Sequence, residues 1–250
     1  MKARFSVLRL GVLCIVLPLF FSLFHATASQ LVSQPNAAVG GGSHANGDSG
    51  PSVISPDGRY VLFSSAANNL ALGANTNPIP IEIPAKLNVY LRDCSNHTTT
   101  LVSINFGGTG GGNGDSFGMG ISSNGQYALF ESSATDLVPG DPNPASNMTK
   151  DIFLRDMVKG TTTLVSVSTN GEFGDGISRT PVMTPDGRYV AFVSAADNLV
   201  AGDTNGIPDI FVRDMQLGTT TLASLGAIST GTAYPVGASA TPAITPNGQY

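Results

Sequence analysis

The chain has 250 residues, 12% of them charged, with 30 glycines and 16 prolines. So few Lys, Glu and Arg exclude coiled coils, long solvent-facing helices and charged disorder. With 12 basic against 17 acidic residues, a nucleic-acid binder working through a basic surface is also excluded. Small, β-branched and turn-forming residues dominate, the composition of an all-β chain of many short strands.

The first element in chain order has the pattern of an export signal. Lys2, Arg4 and Arg9 precede an apolar run from Leu10 to Leu23, and Ala26-Thr27-Ala28 supplies an A-x-A cleavage site. The run is about 14 residues, short of the ~20 that span a bilayer, which favours a cleaved signal peptide over residues 1–28 rather than an anchor. Val12 and Leu13, not a small residue, precede Cys14, so lipidation there is not expected. Cleavage removes three basic and no acidic groups, taking the net charge from −5 to −8. It leaves Cys94 as the sole cysteine, so an exported, periplasmic or extracellular, chain is expected without an intrachain disulfide.

The remainder is repetitive. Ser55-Pro56-Asp57-Gly58-Arg59-Tyr60 recurs as Ser122-Ser123-Asn124-Gly125-Gln126-Tyr127, as Thr184-Pro185-Asp186-Gly187-Arg188-Tyr189 and as Thr245-Pro246-Asn247-Gly248-Gln249-Tyr250. The glycines lie 67, 62 and 61 residues apart. Two further signals recur in register. Val89-Tyr90-Leu91-Arg92-Asp93 matches Ile152 to Asp156 and Ile210 to Asp214, and Thr98 to Ser103 matches Thr161 to Ser166 and Thr219 to Ser224. Three ordered signals repeating together mark a repeat architecture.

Each unit reads as four strands, a to d. Strand a is short, as in Ser52-Val53-Ile54, and Pro-Asp-Gly then makes a tight hairpin. Strand b (Tyr60 to Phe63, Tyr127 to Phe130, Tyr189 to Phe192) is apolar on both faces, so both are expected to be covered. Strand c ends in Arg-Asp and strand d is the Thr-Thr-Thr-Leu-Val-Ser run. A tandem four-stranded antiparallel unit with two apolar faces predicts the blade of a β-propeller. A β-solenoid competes less well, because its coils are shorter, near 20–30 residues. Blades are expected near 51–104, 118–167 and 178–225, with a fourth beginning near 239.

These residues resemble the TolB-type (WD40-like, PD-repeat) β-propeller repeat of bacterial envelope proteins, S-P-D-G-x-x-[IVLA]-x-F followed by a D-I-[FY]-[VL] strand. Copies one and three match closely, while copy two has Ser123-Asn124 in place of Pro-Asp. The resemblance covers residues 29–250 and specifies the fold far more than the function, since such propellers serve as transport accessories, receptors and enzymes alike. It implies a bacterial source, in which the sequons at Asn96 and Asn147 carry no significance.

Three full units fall short of the ~4–8 blades that close a ring. The expectation is an N-terminal fragment of a longer protein, with exposed strand edges and poor solubility in isolation. Leu31-Val32-Ser33 stands 27 residues before Gly58, much as Leu101 and Leu164 stand 24 and 23 before Gly125 and Gly187. It reads as a strand d that would complete the last blade.

Antiparallel alternation puts the short a–b and c–d turns on one face and the b–c and d–a connections on the other. The latter are long: Ser64 to Leu87, Ser132 to Lys150 and Ser194 to Pro208 join b to c, and Asn105 to Gly118 and Ser168 to Ile177 join d to a. Asp48, Glu82, Asp115, Asp136, Asp141, Asp151, Glu172, Asp175, Asp197, Asp203 and Asp209 all fall on or beside these loops, opposed only by Lys86, Lys150 and Arg179. Such a face either solubilises the chain or receives cations or a basic partner.

Within it, Asp203-Thr204-Asn205-Gly206-Ile207-Pro208-Asp209 sets oxygen donors at positions one, three and seven around a glycine bend, the pattern of a Ca²⁺ loop. Asp203, Asn205 and Asp209 are the candidate ligands, and Asx turns that merely shape the loop are the alternative. Copy two offers Asp141, Asn143 and Asp151; copy one has Asn75, Asn77 and Asn88.

No catalytic constellation and no other cofactor site emerges. Gly47-Asp48-Ser49-Gly50-Pro51 looks like a serine-protease nucleophile segment, but Asn113-Gly114-Asp115-Ser116 repeats it at the same 11-residue offset from the blade glycine. His44 and His97 are the only histidines after the signal, too few for a convincing triad or zinc site. Gly107 to Gly114 reads as a flexible loop, because no Lys-Ser/Thr follows it. Arg92, Arg155 and Arg213, each followed by Asp, read as structural pairs.

The function expected is an exported binding or scaffold module that engages a protein or glycan through the acidic loop face, with no nucleic-acid partner. The alternative is a propeller enzyme, a metal-dependent lyase or the propeller of a peptidase, with its catalytic residues beyond residue 250. A calcium-stabilised structural propeller is the third reading.

Overall fold

The computed structural model describes residues 31–35, 44–71, 86–143, 149–225 and 242–248. They form three four-stranded antiparallel sheets and no helix. The first blade is β1 (Ser49–Ile54), β2 (Tyr60–Ser65), β3 (Asn88–Asp93) and β4 (Thr98–Leu101). The second is β5 (Ser116–Ile121), β6 (Tyr127–Ser132), β7 (Asp151–Asp156) and β8 (Thr161–Leu164). The third is β9 (Ser178–Met183), β10 (Tyr189–Ser194), β11 (Asp209–Asp214) and β12 (Thr219–Leu222). In each sheet spatial order follows chain order, the up-and-down meander of a propeller blade. Strand a starts earlier than its apolar residues suggest, and strand d ends at its leucine, with Val-Ser bending away.

The a–b hairpin is built by side chains as much as by backbone. In copy one the Ser55 hydroxyl donates to Asp57 Oδ1 at 2.6 Å and accepts from Tyr60 N–H at 2.9 Å, while Arg59 N–H donates to Asp57 at 3.1 Å. Copy two keeps this pattern through Asn124, whose Oδ1 accepts from the Ser122 hydroxyl and from Gln126 N–H. The loss of Pro-Asp there is therefore harmless, because the turn needs an acceptor at that position rather than a charge.

Strand b is covered on both sides, as its sequence predicts. After the leading tyrosine every residue of β2, β6 and β10 is buried. Inside each blade one aromatic pair bridges strands b and c: Phe63 with Tyr90, Phe130 with Phe153 and Phe192 with Phe211, at centroid distances of 5.8, 5.6 and 5.9 Å. Between blades the cores are shared. Leu62 and Val89 of blade one pack with Ile121, Phe130 and Phe153 of blade two, and Leu129 and Ile152 of blade two pack with Phe192 and Phe211 of blade three.

A second interlock recurs at each junction. The hairpin glycine of one blade lies against the tyrosine that begins strand b of the blade before it. A Cβ on Gly125 would stand 2.5 Å from the Tyr60 ring, one on Gly187 would stand 2.6 Å from Tyr127, and one on Gly248 would clash with Tyr189. Arg59 and Arg188 stack on the rings of Tyr60 and Tyr189, with the guanidinium carbon 4.7 Å from the centroid in both cases. Backbone bonds reinforce the junctions, with Ser116 N–H donating to Leu87 O and Ser178 N–H to Lys150 O, each at 2.8 Å.

Residues 31–35 stand to blade one as 164–168 stand to blade three. Gln34 N–H donates to Val32 O as Val167 N–H does to Val165 O, and Gln34 O accepts from the Thr99 hydroxyl as Val167 O does from Thr220. The segment forms no ladder among the described residues, but Val32 packs against the Phe63–Tyr90 cluster. β1 has no preceding blade upon it among the described residues. Ile54 is accordingly 61% exposed, while its counterpart Ile121 is 8% exposed.

The junction makes two chemically identical substitutions unequal. Gly58 and Gly187 share positive φ (72° and 75°), but nothing stands within 4 Å of a Cβ on Gly58. Gly58→Ala is expected to cost about 1–2 kcal/mol, the left-handed penalty alone. Gly187→Ala adds ring overlap and is expected to cost about 1–3 kcal/mol more. Urea unfolding of both variants measures the difference; equal losses would mean that the tyrosine–glycine contact is not made.

Candidate functional site

The b–c and d–a loops of one blade are tied together at their roots. Asn113 Oδ1 accepts from Thr135 N–H at 2.8 Å, and Asn113 Nδ2 donates to the Thr135 hydroxyl at 3.0 Å. Asn46 with Asn68 and Asp175 with Asp197 repeat the arrangement. Gly47, Gly114 and Gly176 pass so close to the opposite loop that a Cβ on any of them would meet backbone atoms of Ala66–Ala67, Ser133–Ala134 or Ala195–Ala196 within 2.4–2.7 Å. The protease-like segment at Gly47 is thus the first copy of this loop contact. Ser49 bonds Ser65 there, as Ser116 bonds Ser132 and Ser178 bonds Ser194. The Gly107 to Gly114 stretch, expected to be flexible, is hydrogen-bonded: Asn105 N–H donates to Gly110 O, Asn105 Oδ1 accepts from Thr109 N–H, and Ile104 bridges Gly111.

The acids of this face serve different ends. Some organise backbone: Asp115 accepts from Leu87 N–H and Asp136 from Asn113 N–H, both at 2.9 Å. Glu131, which is buried, takes the Lys150 ammonium at 2.7 Å and Thr180 N–H of the next blade at 3.2 Å, and Lys150 also lies over the Phe117 ring. Asp48, Glu172, Asp175 and Asp197 stay exposed without an ion pair among the described residues, and Glu82 lies outside those residues.

The opposite face carries three of the four ion pairs among the described residues, with Asp57 and Asp186 exposed beside them. Arg59 pairs with Asp93 at 2.8 Å, Arg188 with Asp214 at 3.0 Å and Lys159 with Asp156 at 3.7 Å. The Arg59 guanidinium, aided by Asn96 and Ser95 N–H, holds the Asp93 carboxyl down to about 2. These aspartates are the ones that follow Arg92, Arg155 and Arg213, but Asp93 and Asp214 pair with the hairpin arginine and Asp156 with Lys159 and the hairpin Gln126, not with the neighbouring arginine. Arg92, Arg155 and Arg213 turn inward to Thr99, Thr162 and Thr220, and Arg213 also reaches Ser168 O of the preceding blade at 3.2 Å. A cavity of about 460 Å³ opens on this face between blades two and three, lined by Tyr127, Asp156, Asp186, Arg188 and Gln216. Each of its carboxylates already has partners: Lys159 and Gln126 at Asp156, and Thr184 and Arg188 N–H at Asp186.

On the loop face, Asp203, Asn205 and Asp209 do come together. Asn205 Nδ2 donates to Asp209 Oδ2 at 2.7 Å, Asn205 Oδ1 accepts from Ile207 N–H at 3.0 Å, and the Ser224 hydroxyl donates to Asp209 Oδ1. Blade two repeats this with Asn143 on Asp151 at 2.8 Å, Asn143 N–H on Asp141 at 2.9 Å and Ser166 on Asp151 at 2.8 Å. In blade one Asn88 takes the aspartate's place and accepts from Ser103 at 3.0 Å; Asn75 and Asn77 lie outside the described residues. Sequence reading overlooked the serine, which was detectable as the last residue of each Thr-Thr-Thr-Leu-x-Ser run. Burial pushes the Asp151 carboxyl up to about 6, with Asp141 adding to the rise while Ser166 and Asn143 oppose it. Asp203 is raised as well, by burial first and then by Asp209 and Asp197.

The three tandem four-stranded meanders are the blades of a β-propeller fold. No family model and no curated protein matches the sequence. Among solved structures the chain is similar to TolB from Acinetobacter baumannii, with 16% identity over 74% of this chain and 33% of that one, at a TM-score of 0.39. It is similar to the β-propeller domain of the Trilobed protease from Pyrococcus furiosus, with 12% identity over 70% and 42% of the two chains, at 0.42. It is also similar to the acylaminoacyl peptidase of Pyrococcus horikoshii, with 10% identity over 70% and 24%, at 0.38. The chain thus spans about a third of the TolB it matches. No helix among the described residues is long and apolar enough to cross a membrane.

Asp151 gives the site a pH signature. A folded value near 6, above the ordinary 3.8, contributes stability that is complete below about pH 4 and lost as pH rises through 6. Asp151→Asn, the residue blade one already uses, removes this dependence. Between pH 4 and pH 8 the variant is expected to gain about 3 kcal/mol on the parent in urea unfolding. A difference between the two that does not change with pH would show that Asp151 titrates normally.

Proposed function

We propose that the chain is the propeller module of an exported protein and binds a protein or glycan partner through its b–c and d–a loop face. Export rests on the signal-like segment of residues 1–28. Binding through the loop face rests on one observation: among the described residues Asp48, Glu172, Asp175 and Asp197 are exposed there without an ion pair, whereas the other face holds three of the four ion pairs and leaves only Asp57 and Asp186 so exposed. An acidic surface held on rigid blade ends selects a partner with cationic groups, such as a basic protein segment or an amino-sugar polymer, and speeds its association.

The charges can be removed without disturbing the loops. Asn113 performs the role of Asp175 and Asn68 stands where Asp197 stands, so Asp175→Asn and Asp197→Asn have precedents in the same chain. Combined with Glu172→Gln, they are expected to weaken binding of a lysine-rich peptide or a glucosamine oligomer roughly tenfold at low salt, with the parent's affinity also falling as salt rises. Isothermal titration of both proteins reads the outcome. Absence of binding by the parent, or equal binding by the variant, would remove the acidic face from the function.

A further inference from the structure

The two acidic loops share a scaffold but differ in one respect. In blade two Asp141 is partly exposed, and its Oδ1 accepts the Asn143 N–H. In blade three Asp203 accepts the Asn205 N–H in the same way, but it is only 6% exposed and Asp209 only 1%, and its Oδ1 is buried with no hydrogen-bond donor. Neither carboxylate has an ion-pair partner among the described residues, and Asp197 adds a third negative charge close enough to act on Asp203. The Asx turn needs none of this, since blade two makes the same turn with its leading aspartate open to water. A buried carboxylate oxygen that has no donor and feels other negative charges is costly unless a cation or a proton joins it.

We propose that the blade-three loop holds one divalent cation of the calcium class, bound by the Asp203 and Asp209 carboxylates and the Asn205 amide oxygen. No three His, Cys, Asp or Glu side chains converge among the described residues. The set is therefore completed by neutral oxygens, as Ca²⁺ accepts: it takes 6–8 ligands from carboxylates, amides, backbone carbonyls and water in flexible geometry. Mg²⁺, smaller and strictly octahedral, suits a mixed loop of this kind poorly, and zinc finds no nitrogen or sulfur here. The cation neutralises the buried pair and fixes the root of the longest acidic loop of blade three, between β10 and β11.

The test is thermal melting of the purified chain in EDTA and with added CaCl₂ at matched ionic strength, alongside Asp203→Asn and Glu172→Gln. At a calcium concentration ten times the dissociation constant, the parent is expected to melt about 3–6 °C higher. Glu172→Gln, which alters an exposed acid on the same face, keeps that rise. Asp203→Asn loses it, while melting in EDTA at or above the parent because the repulsion is gone. Isothermal titration of the unaltered chain is expected to count one calcium and needs no variant to fold. Lack of a calcium response in the parent, with stabilisation on acidification alone, would show that a proton satisfies Asp203 and would overturn the proposal. So would a rise retained in Asp203→Asn.

Discussion

Every blade depends on the one beside it. Strands b and c carry apolar residues on both faces, so a four-stranded sheet standing alone would leave both faces in water, and a terminal blade leaves one. The neighbouring blade covers that face, and the tyrosine at the start of strand b locks against the next hairpin glycine. Leu62, Leu129 and Phe192 are all fully buried, each within a cluster that crosses a blade junction or continues one. The low charge of the chain follows from this, because strands sandwiched between blades offer few positions where Lys or Glu can reach water.

Polar groups obey the same repeat. Hairpin arginines, or Lys159 in blade two, neutralise the aspartates that end strand c, and the inward arginines bind threonine hydroxyls, with Arg213 also reaching carbonyls across the junction. Serine hydroxyls satisfy the aspartates, or the asparagine, that begin strand c. With most of the ion pairs on the turn face, more of the unpaired exposed acids among the described residues lie on the loop face. The loops there are not loose decorations. Their roots are tied to each other by Asn or Asp side chains at the same place in each blade, which gives any ligand a rigid platform.

Much of this was legible in the chain. The three repeating signals located the blades, the unbroken apolar run after each tyrosine announced coverage on both sides, and antiparallel alternation sorted the loops by face. What escaped were long-range polar partners. Arg92-Asp93 reads as a local pair, yet Asp93 belongs to Arg59, 34 residues earlier, because neighbouring residues of a strand point to opposite faces. The Ser166–Asp151 and Ser224–Asp209 bonds span two strands, and only alignment of the three copies would have shown serine and Asp/Asn recurring together. Oxygen donors at Asp203, Asn205 and Asp209 were readable, but the burial that leaves one Asp203 oxygen without a donor depends on packing and not on spacing.

Cooperation between blades is open to direct measurement by hydrogen–deuterium exchange of the backbone amides, comparing the chain with Tyr127→Ala. Blade two, covered by a neighbour on each side, should hold the slowest-exchanging amides, in β6 and β7. Truncating Tyr127, whose ring touches Gly187, should speed exchange in blade three as well as in blade two. Equal protection of the three blades, with the effect of Tyr127→Ala confined to blade two, would contradict a fold held together at its junctions.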